Sequence, residues 1–248
     1  MEEQLYEAFL RLERSHWWFM ARQKILLDLT RRFVAPGGRI LDVGCGTGYY
    51  LEEARREFDA HGIDFSDTAV RMCQTRGLTT VTKDTLDDLA AANAPRFDAI
   101  MFLDVIEHMD DDVATLTAAR RLLAPGGITM VTVPAYMFMW SAHDDANQHR
   151  RRYVARGLAR VLAASGFRVE LVTYFNTLLF PLALARRATQ RLLPRKDYDE
   201  LALPPAWLNR WLRRVFELEA GFVRRAGPRG LFPFGLSIAA VGRAGSPA

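Results

Sequence analysis

Cysteine is scarce: the 248 residues hold two, Cys45 and Cys73. That excludes a disulfide framework and leads us to expect a reducing, cytoplasmic setting. Long apolar runs are lacking too; the nearest approach, TLLFPLALA at 177–185, falls well short of the ~18 residues a membrane span needs. The N-terminus, MEEQLYEAF, is acidic and amphipathic, which is wrong for a secretory signal. Internal repeats and low-complexity tracts are absent as well.

What is present is an ordinary globular composition, 50% hydrophobic and 25% charged, in a length suited to one large α/β domain. The formal net charge of +4 conceals an asymmetry. Through Asp145 there are 15 Lys+Arg and 23 Asp+Glu; from Ala146 onward there are 18 and 6. A basic C-terminal half can serve nucleic acid, acidic lipid or a phosphorylated substrate, or can be a set of solvated arginine-rich helices.

Short β-rich runs recur at 39–44, 60–65, 79–84, 97–105, 127–135, 167–175 and 236–244. Several are continuously apolar, as strands covered on both faces are. Helical patterns lie between them: YYLEEARREF, DTAVRMCQTR, DVATLTAARRLL and YVARGLARVLAASG. This alternation predicts an α/β fold with a doubly wound, mostly parallel sheet of seven strands. We expect a single domain over 1–248. Residues 1–35 would be a helical lid, 36–175 the core, 176–235 a helical cap or insertion, and 236–248 the last strand and tail.

The strongest local signal is ILDVGCGTGYYLEEA, residues 40–54. A β run leads into Asp42, and Gly44, Gly46 and Gly48 turn the chain into a helix, where missing side chains let the backbone approach a ligand. At the next strand's end, GIDFS supplies Asp64, a carboxylate placed to accept both hydroxyls of a ribose. The dinucleotide fingerprint G-x-G-x-x-G fails here. Counted from Gly44 its third glycine is Tyr49; counted from Gly46 it is Leu51.

The segment instead resembles motif I of the class I S-adenosylmethionine-dependent methyltransferases, E/D-x-G-x-G-x-G. The resemblance covers about residues 36–135, with FDAIMFLDVIEHM (97–109) and LLAPGGITMVTVP (122–134) falling in order. It implies a Rossmann-like methyltransferase fold and S-adenosylmethionine as cofactor, with S-adenosylhomocysteine as its product. It also implies a cofactor seat made of Asp42, Gly44, Cys45, Gly46 and Gly48. Asp64 and Phe65 would serve at the second strand, Asp84 and Thr85 after the third, and Leu103 on the fourth. Within that family the chain resembles the ubiquinone-biosynthesis O-methyltransferases and their small-molecule relatives. Their arginine before motif I, which contacts the methionine carboxylate, corresponds to Arg22 in HWWFMARQ. Trp17, beside it, is a candidate substrate contact. Some members bind magnesium where this chain has Asp104, Glu107 and His108; the patch is common without an ion, and no metal is expected. An NPPY-like motif, typical of methylation at amino groups of bases or glutamine, is replaced by LDVIEH.

Methyl transfer to oxygen needs a route for a proton, which suits a histidine. His108 sits at the end of the fourth strand run, the edge where such sheets bind ligands. The stretch PAYMFMWSAHDDANQHRRRY, 134–153, leaves the fifth strand run at the same edge. Tyr136 and Trp140 can wall an apolar pocket, His143 and His149 can handle the proton, and Arg152 and Tyr153 can meet the substrate; a surface loop is the plain alternative. The basic apolar segments 174–196 and 205–225 suit contact with an anionic membrane surface, or a cap packed on the core. A small-molecule acceptor, apolar or lipid-like and offering a hydroxyl or an activated carbon, is the expected substrate. An RNA or protein methyltransferase and a non-catalytic cofactor-binding, membrane-associated protein are the alternatives. No recognisable RNA-binding module is present, and no nucleic-acid partner is expected.

Overall fold

The computed structural model describes residues 3–192 and 202–245. The expected cap residues 193–201 and the tail 246–248 lie outside the described residues. Seven apolar runs pair as β1 (Arg39–Val43), β2 (Asp59–Ile63), β3 (Val81–Thr82), β4 (Phe97–Leu103), β5 (Leu123–Pro134), β6 (Phe167–Phe175) and β7 (Ser237–Ala244). They form one sheet in the order β3-β2-β1-β4-β5-β7-β6. β1 to β5 pair in parallel, and β7 runs antiparallel to both of its neighbours. β6 is therefore parallel to β5. The C-terminal tips of β1, β2, β4, β5 and β6 share one edge, and Pro134 and Phe175 both pair with Ser237, where β7 begins.

The helices are α1 (Glu3–Leu12), α2 (Trp17–Phe33), α3 (Tyr49–Ala54), α4 (Asp67–Thr75), α5 (Leu86–Ala91), α6 (Asp112–Arg121), α7 (Ala142–Ala146), α8 (Ala155–Ala164), α9 (Phe180–Leu192), α10 (Ala206–Leu218) and α11 (Ala220–Val223). Side chains start several of them by taking up otherwise orphaned amides. Ser66 caps α4, Asp111 caps α6, and Thr85 with Asp88 forms a reciprocal capping box on α5. Apolar residues of α2, α3 and α10 bury one sheet face; α6 and α8 bury the other.

Several boundaries differ from the expected ones; α3, for instance, ends at Ala54, before the expected Phe58. β3 is only two residues long; it is an edge strand paired on one side, and the Thr80 hydroxyl bonds instead to the Ala60 carbonyl at 2.6 Å. β5 begins at Leu123, ahead of Pro125-Gly126, because Phe97 pairs with Leu123 while Ala99 pairs with Ile128. The residues between are accommodated as a bulge, and α6 stops at Arg121.

The terminal additions hold each other. Asn209 of α10 accepts from the Trp17 amide at 2.9 Å and donates to the Ser15 carbonyl at 2.8 Å. The Trp17 ring meets Phe216 edge-on at 5.9 Å. No helix among the described residues is long and apolar enough to cross a membrane.

Candidate active site

The shared strand edge opens into a cavity of about 650 Å³ walled by α1, α2, the β1 turn and the insertion, within the roughly 300–1,000 Å³ usual for small-molecule sites. At its floor the chain leaves β1 through Gly44, Gly46 and Gly48, with φ of 68°, 56° and 77°. These left-handed values favour glycine. A Cβ on Gly48 would lie 2.6 Å from Leu78 Cδ1 and 2.7 Å from Cys73 Sγ, whereas a Cβ on Gly46 would meet nothing within 4 Å. The first glycine permits packing; the second keeps open the space a ligand would fill. Asp42 is buried behind the turn, its Oδ1 has no hydrogen-bond partner among the described residues, and burial pushes its carboxyl up to about 8.

Asp64 accepts from Gly46 N at 3.0 Å and from Ser66 N at 2.9 Å. Burial raises its pKa while these amides counter the rise. The bonds fix the carboxylate and leave lone pairs on both oxygens. α1 lies over this region. Tyr6, its phenol pushed up to about 12 by burial and the nearby Asp64 charge, lines the cavity with Phe9 and Glu13. Glu13 is buried; it accepts from the Thr47 hydroxyl of the glycine turn at 2.6 Å and pairs with Arg76, which also reaches Glu52 at 2.7 Å. The N-terminal segment is thus anchored on the turn itself.

Arg22 points across the cavity from α2. One terminal nitrogen bonds Asp104 at 2.8 Å and Thr132 at 3.0 Å, while its buried Nε has no partner among the described residues. Asp104 adopts φ 62°, an uncommon value for a side-chain-bearing residue. Orphaned polar atoms on Arg22 and Asp42, beside the open space at Gly46, fit a polar nucleoside ligand with a charged amino-acid tail.

Facing them is a compact acid–imidazole group. His149 Nδ1 lies 2.8 Å from Asp144 Oδ1; Arg152 clasps the same carboxylate with bonds of 2.7 and 2.8 Å, and Ser141 N adds one of 2.8 Å. Burial alone would raise the Asp144 pKa, but the bonds from His149 and Arg152 hold it far below the usual carboxylate range. The His108 ring meets His149 edge-on at 4.8 Å, and burial, then the neighbouring imidazole, lowers its pKa. Glu107 is fully buried with both oxygens unpartnered among the described residues; burial and Asp104 raise its pKa well above normal. Ligand atoms of Glu107, His108 and His149 all lie within 4.8 Å of one another. Two imidazoles and a carboxylate fit a divalent cation, which would supply Lewis-acid polarisation of a substrate oxygen. Asp104, part of the acid-Glu-His set that the resemblance implied, is engaged by Arg22 and Thr132 instead.

The cavity brings together Arg22, Asp42, Gly44, Cys45, Gly46, Leu103, Trp17, His108, His149 and Arg152. Gly48 and Asp64 do not line it, although Asp64 holds the amide of the lining residue Gly46. Phe65 is 71% exposed, and Asp84 sits off the cavity. Thr85 does too, its hydroxyl being used to cap α5. Tyr136 and Trp140 do not form the expected pocket wall, and Tyr153, expected as a substrate contact, does not line the cavity. Tyr136 takes φ 59°, and its ring stacks on Tyr174 at 5.2 Å and Phe138 at 5.0 Å. Trp140 donates to Asp145 at 2.9 Å, and Tyr153 donates to the buried Asp112 at 2.7 Å. Met139 lines the cavity in their place. His143 lies on α7; its side chain is outside the described residues. Tyr6, Glu13 and Asn176 are cavity residues that no sequence signal indicated.

A parallel sheet closed by one antiparallel strand, with a glycine turn after β1 and acids at the tips of β1 and β2, defines a Rossmann-like methyltransferase fold. A family model described as a methyltransferase domain matches residues 18–172, and the chain belongs to that family. It is 39% identical over 97 residues to a ubiquinone biosynthesis O-methyltransferase of Alkalilimnicola ehrlichii, covering 37% of this chain and 39% of that protein. A protein of the same name from Xanthomonas oryzae pv. oryzae is 32% identical over 128 residues, covering 46% of this chain and 54% of the relative. The matched stretches thus span about half, or less, of these relatives' own length. In fold, the chain is similar to a SAM-dependent methyltransferase from Archaeoglobus fulgidus, with TM-score 0.55, 19% identity and coverage of 89% and 94% of the two chains.

Proposed function

We propose that this chain transfers a methyl group from S-adenosylmethionine to a hydroxyl on an apolar, lipid-like small molecule, with His149 as general base. The observation that carries the reading is the Asp144–His149 pair, whose imidazole lines the same cavity as the glycine turn while the carboxylate is buried behind it. Bound S-adenosylmethionine supplies a methyl on a positively charged sulfur, so its displacement needs no activation of the leaving group. The chain's own contribution is alignment, exclusion of water and removal of the hydroxyl proton. Arg22, with its second face over the Trp18 ring at 5.3 Å, is placed to hold the carboxylate of the cofactor. Asp144 remains ionised, so the His149 proton belongs on Nδ1; Nε2 then receives the substrate proton when no cation is held by Glu107, His108 and His149, and would be a cation ligand otherwise. Arg152 keeps Asp144 in position.

Leu103, Met139, Leu179, Leu208 and Leu212 provide an apolar wall suited to a hydrocarbon body. α10 contributes Leu208 and Leu212 to that wall and leaves Trp207 and Trp211 exposed beside Arg210 and Arg214. An aromatic, basic outer face suits docking on an anionic bilayer from which such a substrate would be taken. The relatives' name favours oxygen over carbon as the target. Mass spectrometry of lysate extracts incubated with deuteromethyl-labelled cofactor tests the proposal. The expected product gains one labelled methyl on an organic-soluble hydroxyl; label found only in RNA or protein refutes it. Co-sedimentation with phosphatidylglycerol vesicles at low salt tests the docking surface, and an unbound protein refutes that part.

A further inference from the structure

The tip of β6 carries a polar group that neither packing nor the proton route uses. Asn176 follows Phe175 at the ligand edge of the sheet, lines the cavity and is 1% exposed, yet its Oδ1 has no hydrogen-bond partner among the described residues. We infer that the Asn176 carboxamide recognises the methyl-accepting substrate, taking a hydrogen bond from a hydroxyl or N–H donor on it. The inference rests on the proposed transfer to a small molecule and adds to it the residue that reads the substrate's polar end.

The backbone alone does not account for the asparagine. Its φ is 56°, a left-handed value that asparagine tolerates and glycine adopts more readily. Glycine would satisfy that turn without burying an unpaired amide. Buried polar groups are paired in the great majority of cases, so an unpaired one at a cavity wall points to a partner that arrives with the ligand.

The surroundings hold this group rigidly. Glu219, buried at the end of α10, accepts from Thr177 N at 2.9 Å and from Leu178 N at 2.7 Å. Thr177 Oγ1 donates to the Phe234 carbonyl at 2.7 Å, bracing the same turn from the far end of the insertion. One buried carboxylate thus fixes the two amides that follow Asn176, the kind of support that a recognition group needs if it is to discriminate by geometry. Glu219 acts through the turn as a positioning residue.

The test compares the wild-type chain with Asn176→Gly, using 4-dodecylcatechol as a hydroxylated, apolar-tailed probe. We expect Asn176→Gly to melt no lower than wild type and to bind S-adenosylhomocysteine within twofold. Its kcat/KM for the probe should fall roughly tenfold or more, as loss of a desolvated hydrogen bond implies. Equal kcat/KM in the two proteins overturns the inference. So does a lower melting temperature with unchanged turnover per folded molecule, which would make the residue structural. Wild type that binds S-adenosylhomocysteine but methylates neither the probe nor any component of a lysate extract refutes the proposed function itself, and the inference falls with it.

Discussion

Adding a methyl group at Gly46 and at Gly48 should damage the protein in opposite ways. Both residues have left-handed backbones, at 56° and 77°, so an alanine at either place carries a conformational cost of about 1–2 kcal/mol. At Gly48 the new Cβ would also press on Leu78 and Cys73 from 2.6 and 2.7 Å, and overpacking of that kind adds roughly 1–3 kcal/mol. Gly48→Ala should therefore lose about 2–5 kcal/mol of stability, a drop in melting temperature of roughly 4–20 °C for a chain of this size. At Gly46 the Cβ meets no protein atom within 4 Å, so the loss should be confined to the conformational cost. The methyl instead enters the cavity where the cofactor would lie. Urea melts and calorimetric titration with S-adenosylhomocysteine on both variants decide the matter. We expect Gly46→Ala to stay folded with at least tenfold weaker binding, and folded Gly48→Ala to be the less stable of the two. If Gly46→Ala binds as wild type does, the open space at that residue is not the cofactor's, and the reasoning fails.

Three further outcomes are expected. Asp144→Asn removes the partner of His149 and leaves the nearly buried Arg152 without its counter-charge. Turnover per folded molecule should fall about 10²–10⁴-fold and stability by roughly 3–5 kcal/mol, with S-adenosylhomocysteine affinity retained; unchanged turnover there and in His149→Ala removes the pair from the chemistry. Arg22→Met should weaken S-adenosylhomocysteine about tenfold or more by losing a charge-assisted contact, while methylthioadenosine, which has no carboxylate, should bind as before; equal losses would show that Arg22 holds the fold and not the tail. Asp42, raised from 3.8 to about 8, binds a proton in the folded chain that the unfolded chain has released. Its contribution is full below the unfolded value and is lost as pH rises toward 8, so Asp42→Asn should flatten the decline in urea stability between pH 5 and pH 8. An identical decline in both proteins contradicts the assignment.

The glycine turn of the candidate site was legible in the sequence because it depends on backbone exceptions, whereas the expected Phe65, Asp84 and Thr85 fall off the cavity. Three glycines between Asp42 and Tyr49 and an acid at the next strand's end have few other uses, and the structure places them at the sheet edge. The substrate side was less legible because it depends on where side chains turn. Tyr136, Trp140 and Tyr153 have the right chemistry for a pocket, but a left-handed residue at Tyr136 sends its ring toward Tyr174, and Tyr153 finds Asp112, distant in sequence. Glu13 could not be singled out at all. In sequence it follows an ordinary amphipathic helix, and its partners Thr47 and Arg76 are brought to it only by tertiary folding.

The long insertion leaves the sheet after Phe175 and rejoins it at Ser237, and those two residues are paired neighbours. A segment whose ends already touch can be exchanged for a longer or shorter one at little entropic cost to the scaffold. Chimeras that graft a foreign insertion between these points should keep nucleoside affinity while changing which molecules are modified, provided the graft retains a carboxamide in the place of Asn209 to secure Trp17. The architecture thereby separates the evolution of selectivity from that of cofactor use.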